Sequence, residues 1–437
     1  MPRLAFPTAA QAALLMAALA AHTVVAAAPT AILFVGNSYT FGRVDPVMGY
    51  NAANVRDLTA PVPGSSFANT TGSNPYEPHP WGGVPGIFKQ FTVQAGLDYD
   101  VSLSARNAAS LRGHYLNTNP AGWDMLGNIA SRRWDQVVLQ DLSDEPLSNG
   151  GGANANRALF NFYANKIEDY IHQGIQAGQD SASFVLNTTE GQLWGGPATG
   201  TAAQRAAACI AGTGGAANPN SLSQTACNTA RTLRGNANEN AAAKVYLYET
   251  WARPDMIYPH TNTITDPVTG AVLPGSGAAT LYQASLESMT ADLRSGYFGL
   301  AASNADFEGV AAVGDAFLLA VQSGVATRNP YAADAASDGL IDLWWDDNLH
   351  ASKYGSYLSA LTLFGRTTGV NPFSLGGSEI AARDLGISAR DAVALQRIAA
   401  LQLGFAVPEP GSLYLAALAL LAGWTLRRPR PQVQTCA

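Results

Sequence analysis

Short, uninterrupted apolar runs alternate along this chain with stretches of helical period. Ala31-Ile32-Leu33-Phe34-Val35 has no polar interruption, the pattern of a strand covered on both faces, since a strand buried on one face alternates. Val84, Ile87, Phe88 and Phe91 recur at i, i+3, i+4, i+7 and predict a helix. Strands follow at Tyr99 to Leu103 and Gln136 to Gln140. Leu159, Tyr163, Ile167, Tyr170 and Ile171 mark a long amphipathic helix. Ser183 to Leu186, Val245 to Tyr248 and Val310 to Val313 are further strand candidates. Tyr354, Tyr357, Leu358, Leu361 and Phe364 form another helical stripe, and Ser388 is placed to cap a last helix running to Leu403, where Gly404 stops it. Strands of the doubly buried type alternating with helices predict an α/β fold around a parallel sheet. No internal repeat is present.

Two stretches break the alternation. Asn51 to Pro80 is rich in Gly, Pro and Asn, and Thr188 to Asn240 is rich in Gly, Ala and Asn with few charges. The second, about 188–240, reads as an insertion forming a surface loop or small lid. Length changes the picture little: 437 residues with 47% hydrophobic content can bury a substantial core. Charge excludes more. The net charge is -7 and the body has no Lys/Arg-rich stretch, which argues against nucleic acid as a partner.

The ends differ from the body. Arg3, an apolar run from Ala9 to Ala21 and the small residues Val24-Val25-Ala26-Ala27-Ala28 fit a secretory signal peptide over 1–28. Over 405–437, Val407-Pro408-Glu409-Pro410-Gly411 precedes an apolar segment, 413–426, and the basic tail Arg427-Arg428-Pro429-Arg430. That order resembles the PEP-CTERM sorting signal. The resemblance implies a transmembrane segment lodged in the inner membrane of a Gram-negative bacterium, cleavage by an exosortase-type processing enzyme, and release to the cell surface or extracellular matrix. The segment is shorter than the roughly 18–20 residues of a full span, and the basic cluster suits the cytoplasmic side. The alternative is a permanent anchor. Of three cysteines, Cys436 lies beyond this signal, leaving Cys209 and Cys227; export predicts a disulfide between them, worth about 3 kcal/mol.

Candidate chemistry starts at Gly36-Asn37-Ser38-Tyr39-Thr40, directly after the first strand. A serine nucleophile needs a sharp turn there, so that its hydroxyl is exposed at the carboxyl edge of the sheet. Its base would be a histidine. Two of the six follow an aspartate by three positions. Asp169 and His172 fall within the long helix and read as a solvated surface pair. Asp347-Asn348-Leu349-His350 lies instead in a loop, which lets one segment deliver both base and orienter.

A G-x-S block after strand one and a D-x-x-H block before the last helices resemble the SGNH (GDSL-like) hydrolase superfamily, over Ile32 to about Gly369. The resemblance implies a three-layer α/β/α, flavodoxin-like domain over 29–404 with a five-stranded parallel sheet. It implies Ser38 as nucleophile, His350 as base and Asp347 as orienter, acting on an ester with no metal or cofactor. It also implies an oxyanion hole from the Ser38 amide, a glycine amide and an asparagine side chain. Ala108, in Arg106-Asn107-Ala108-Ala109-Ser110, stands where glycine is expected, with Asn107 as the other candidate. In Trp134-Asp135-Gln136-Val137-Val138-Leu139-Gln140, similar to a bacterial subgroup, Gln140 takes the asparagine's place.

The expected function is thus an exported serine esterase forming an acyl-enzyme, with O-acetyl groups of an extracellular polysaccharide as the candidate substrate. The alternative is a non-catalytic matrix or carbohydrate-binding protein on the same scaffold. Asp334, Asp338, Gly339 and Asp342 faintly resemble a calcium loop, but Ala336 and Trp345 stand where oxygen ligands are needed. Trp194, Trp251, Trp344 and Trp345 are candidates for stacking on sugar rings or for plain core packing.

Overall fold

The computed structural model describes residues 28–59, 79–118, 124–175, 184–265 and 271–407. The signal-peptide core, the 413–426 segment with its basic tail, Cys436, Ser183 and most of the Asn51 to Pro80 loop lie outside them. Among the described residues no helix is long and apolar enough to cross a membrane.

Ten strands are described: β1 Thr30–Gly36, β2 Arg56–Asp57, β3 Tyr99–Ala105, β4 Gln136–Leu139, β5 Val185–Thr189, β6 Ala230–Arg234, β7 Lys244–Tyr248, β8 Thr261–Thr265, β9 Val272–Ala278 and β10 Phe307–Ala311. Six form an all-parallel sheet in the order β10-β7-β4-β1-β3-β2. The protein is therefore an α/β protein with the expected parallel sheet, widened by one strand. β2 has only two residues, both polar, so no apolar run announces it. Without it the order is 2-1-3-4-5, the flavodoxin-like arrangement, and the topological switch point falls between β1 and β4.

Central position explains the composition of β1. Ala31 to Gly36 are all buried, and burying one side chain such as Phe34 stabilises the fold by about 1.5–3 kcal/mol. Phe88 of helix Gly83–Gln94 meets Phe34 edge-on at 5.3 Å and Phe364 of helix Lys353–Thr368 at 6.3 Å. Helix Ala389–Gln402 packs on that same layer. The other layer holds helices Leu111–Leu116, Arg157–Gln173 and Leu286–Ser303, joined by Tyr115 on Tyr163 and Phe160 on Tyr297.

Two boundaries differ from expectation. The Val310 to Val313 strand begins at Phe307 and stops at Ala311, because Val313 already opens helix Val313–Gln322. The Ser183 to Leu186 candidate is represented by β5, which leaves the main sheet and pairs antiparallel with β6.

That pairing changes the reading of the 188–240 insertion. It is a small folded unit rather than a loop: the β5–β6 ladder at its base carries helices Glu190–Leu193, Ala202–Gly212 and Gln224–Asn228. Cys209 and Cys227 are fully buried and disulfide-bonded, forming with Ala206 their own small core. Glu190 anchors the unit to the main body. Its buried carboxylate accepts from Arg112 Nε at 2.7 Å and Tyr163 Oη at 2.6 Å, and Trp194 stacks on Phe162 at 3.8 Å.

With so little apolar material in this unit, the disulfide carries much of its stability. Replacing both cysteines by serine is expected to cost about 3 kcal/mol, read as a lower urea midpoint and faster amide exchange confined to the insertion; unchanged exchange there would contradict this.

Candidate active site

The candidate side chains meet at the carboxyl edge of the sheet, beside the switch point. Gly36 ends β1, and Ser38 opens the four-residue helix Ser38–Phe41. Asn37 caps that helix, its Oδ1 accepting from Tyr39 N at 3.0 Å. Gly36 is required here by close approach rather than by an unusual dihedral angle: a Cβ would stand 2.2 Å from Thr40 Oγ1 and 2.5 Å from Gln140 Oε1. The Ser38 amide, at a helix start, is one of those a helix leaves without an internal partner.

Residues 312 positions apart then converge. His350 Nε2 lies 2.8 Å from Ser38 Oγ, and His350 Nδ1 lies 2.6 Å from Asp347 Oδ2. With Nδ1–H donating to the carboxylate, Nε2 is left to accept from the serine hydroxyl. Asp347 Oδ1 also accepts from the amides of His350 and Leu349, at 2.8 and 3.0 Å, an arrangement reached because Asn348 adopts a left-handed conformation, φ 54°. Burial alone would raise the Asp347 pKa; the His350 charge and these hydrogen bonds outweigh it and hold the carboxyl below its ordinary value. Ser38, Asp347 and His350 are 6%, 5% and 4% exposed.

Aromatic side chains fix the histidine loop. Tyr39 stacks on Trp251 at 3.9 Å, and Trp251 stacks on Phe317 at 4.8 Å. Tyr39 Oη and Trp251 Nε1 both donate to the Leu349 carbonyl, at 2.8 and 3.1 Å. Trp344 donates to the Ala252 carbonyl at 3.1 Å. None of Trp194, Trp251, Trp344 and Trp345 lines the cleft around Ser38.

The cleft has a volume of about 200 Å3, and Ser38, Asn107, Ala108, Asn154, Arg253 and His350 are part of its wall. No residue of the 188–240 insertion lines it. Ala108 has φ 55°, a region an alanine occupies at a cost of roughly 1–2 kcal/mol and glycine does not. Gln140 differs from expectation. It is fully buried behind the Ser38 turn, where Oε1 accepts from Asn37 N at 2.9 Å and Thr40 Oγ1 at 2.8 Å while Nε2 donates to the Asp141 carbonyl. Its amide braces the turn and points away from the cleft. Asn37, Asn107 and Asn154 are the asparagines in the cleft wall, and the Asn37 side-chain amide is spent on the Ala109 and Asp141 carbonyls.

A buried network below the turn completes the support. Asn37 Nδ2 donates to the carbonyls of Ala109 and Asp141, at 3.0 and 3.2 Å. Asp141 Oδ1 accepts from Leu111 N at 2.8 Å, and burial pushes its carboxyl up to about 7. His114, from the helix so anchored, contacts the Gly36 carbonyl through Nε2 at 2.8 Å. Arg253, absent from the expected site, binds Asp255 through two nitrogens at 3.0 and 2.6 Å and Ser143 Oγ at 2.8 Å. Its only sequence signal is its place in the Glu249 to Pro254 segment after β7.

The Asp169 and His172 pair also differs from expectation. His172 is not a solvated partner of Asp169: its side chain is 9% exposed, bonded to buried Glu168 and, at 2.8 Å, to the Ala243 carbonyl. Glu168 raises its pKa. Among the described residues no group of three or more His, Cys, Asp or Glu could hold a metal ion. In the Asp334 to Asp342 loop, Asp338 accepts from Thr327 Oγ1 and Leu340 N, at 2.9 and 2.8 Å.

No protein-family model and no curated protein matches the chain. Two solved structures align with it. One, a "putative SGNH hydrolase" from Slackia heliotrinireducens, is 15% identical over 78% of this chain and 99% of that one, with a TM-score of 0.33. The other, a DUF4886 family protein from Bacteroides uniformis, is 11% identical over 88% and 98%, with a TM-score of 0.36. The chemistry of the cleft is therefore read from its own residues.

Two substitutions probe the turn and the cleft wall. Ala108→Gly is expected to raise unfolding stability by about 0.5–1 kcal/mol by removing the left-handed alanine, and a loss of stability would contradict this. Gln140→Ala strands the Asn37 amide and the Thr40 hydroxyl and is expected to cost about 2–3 kcal/mol in urea unfolding; a neutral result would mean that Gln140 does not brace the turn.

Proposed function

We propose that this chain is a serine hydrolase that cleaves carboxylic esters through an acyl-enzyme. The observation that carries the reading is the hydrogen-bonded series Ser38, His350, Asp347 in a buried cleft. In the first half-reaction, Ser38 Oγ attacks the ester carbonyl while its proton passes to His350 Nε2. Asp347 holds the Nδ1–H tautomer and offsets the imidazolium charge. The oxyanion forms against the Ser38 and Ala108 amides, with Asn107 or Asn154 as side-chain donor. Collapse breaks the C–O bond, and His350 returns the proton to the departing alcohol. Water, deprotonated by His350, then attacks the acyl-serine, releasing the acid and restoring Ser38.

The cleft volume suits a short acyl group. Together with the secretory and sorting-signal patterns at the two ends, this favours an exported enzyme acting on an O-acetylated extracellular polysaccharide. The withdrawal of Gln140 from the cleft favours the rival reading, a carbohydrate-binding surface protein on a hydrolase scaffold.

Turnover separates them. Purified protein spanning 29–404 is expected to hydrolyse 4-nitrophenyl acetate without added metal. Ser38→Ala is expected to abolish this with an unchanged circular dichroism spectrum, and Asp347→Asn to lower kcat on the order of 10^4-fold. Equal turnover by wild type and Ser38→Ala would refute the assignment; saccharide binding with no turnover by the wild type would select the rival.

A further inference from the structure

A second cavity, about 280 Å3 in volume, adjoins the Ser38 cleft, and Asp144, Arg253 and Leu349 line both. We propose that this cavity is the subsite for the alcohol half of the ester, and that it takes an uncharged, hydroxyl-rich ring: a sugar residue that carries the acyl group into the cleft. The proposal rests on the esterase reading and adds to it the identity of the group that leaves.

The lining carries the argument. The cavity's far wall is built by the β8–β9 hairpin and the segments flanking it, and it presents His260, Thr263, Thr280 and Tyr282. Met256 and Leu349 are the only sizeable aliphatic side chains in the lining. A fatty acyl or alkyl chain buried here would leave these polar groups without water or partner, a cost that a polyhydroxylated ring avoids by exchanging hydrogen bonds with them. The size agrees: the volume sits near the lower end of ligand pockets, roughly 300 Å3, suited to one small ring.

Charge narrows the class. Three carboxylates, Asp144, Asp255 and Asp347, face one guanidinium, Arg253. Arg253 is already committed to Asp255 and Ser143, and the Asp255 carboxylate beside it outweighs burial and keeps it charged. An acidic sugar would meet excess negative charge with no free cation from these residues, so an uncharged ring is favoured over a uronate.

Preorganisation points the same way. His260 lies face to face with Tyr331, ring centroids 4.3 Å apart, and its Nδ1 contacts the Tyr258 carbonyl at 2.9 Å. Among the described residues its Nε2 has no hydrogen-bond partner. The imidazole is thus fixed in position with one polar atom left for a ligand hydroxyl. Tyr282, 38% exposed, stands at the rim.

The test uses methyl 6-O-acetyl-glucopyranoside and 4-nitrophenyl acetate, two acetyl esters that differ only in the alcohol. Calorimetric titration of Ser38→Ala with the sugar ester is expected to show binding, weakened about tenfold when His260→Ala is added. In the active protein, the ratio of kcat/KM for the sugar ester to that for 4-nitrophenyl acetate is expected to fall about tenfold in His260→Ala and in Tyr282→Ala, with the change carried by KM. An unchanged ratio, tighter handling of an acetylated uronate, or a preference for a long-chain alkyl ester over the sugar ester would each overturn the subsite. Absence of 4-nitrophenyl acetate turnover in the wild type would instead defeat the esterase reading, and the titration would still report on the cavity.

Discussion

A hydroxyl on the first turn after β1 has to share a proton with an imidazole more than three hundred residues further along the chain, and most of the architecture serves that contact. The serine side is immobilised from below. Gly36 allows Thr40 and Gln140 to close against the strand end, Gln140 accepts from the next amide, and Asn37 ties the turn to the loops after β3 and β4. The histidine side is immobilised from the flank, where Tyr39 and Trp251 hold the Leu349 carbonyl. Because Tyr39 directly follows the serine, one stacked aromatic pair sets the distance between the two halves of the site.

Where the fold was legible, one property carried it. β1, β4 and β7 lie inside the main sheet, and the run of apolar residues that burial on both faces demands is visible without any knowledge of partners; β3 shows itself by alternation, and β10, at the edge opposite β2, by the short Val310-Ala311 run. β2 was invisible because Arg56 and Asp57 form an edge strand, and an edge needs no apolar run. β5 was visible as a strand but not as a member of a separate antiparallel ladder, since pairing with β6 joins residues about 45 positions apart and leaves no local trace. The insertion reads as a loop for a related reason: its buried core is a disulfide and Ala206.

The site was legible to the extent that spacing fixes geometry. An aspartate three positions before a histidine in a loop can bond it directly, and Asp347 and His350 do so. In a helix the same spacing competes with i, i+4, and there Glu168 rather than Asp169 takes His172. Gln140 shows what sequence leaves open. Its position just after β4 places it beside the Ser38 turn, but the direction of the amide depends on buried donors, and the Asn37 amide and Thr40 hydroxyl claim its oxygen. Asn154 and Arg253 lie in irregular segments without periodicity, so only their convergence in space identifies them.

Whether the pairing at the sheet edge produces an activated nucleophile is open to direct chemical measurement. A fluorophosphonate reacts with a serine whose proton a base can remove, so mass spectrometry of the labelled, digested protein should find the adduct on the peptide containing Ser38 and lose it in His350→Ala. An unlabelled wild-type protein, a label on another serine, or labelling of Ser38 indifferent to His350 would contradict the proton-sharing pair on which the functional reading stands.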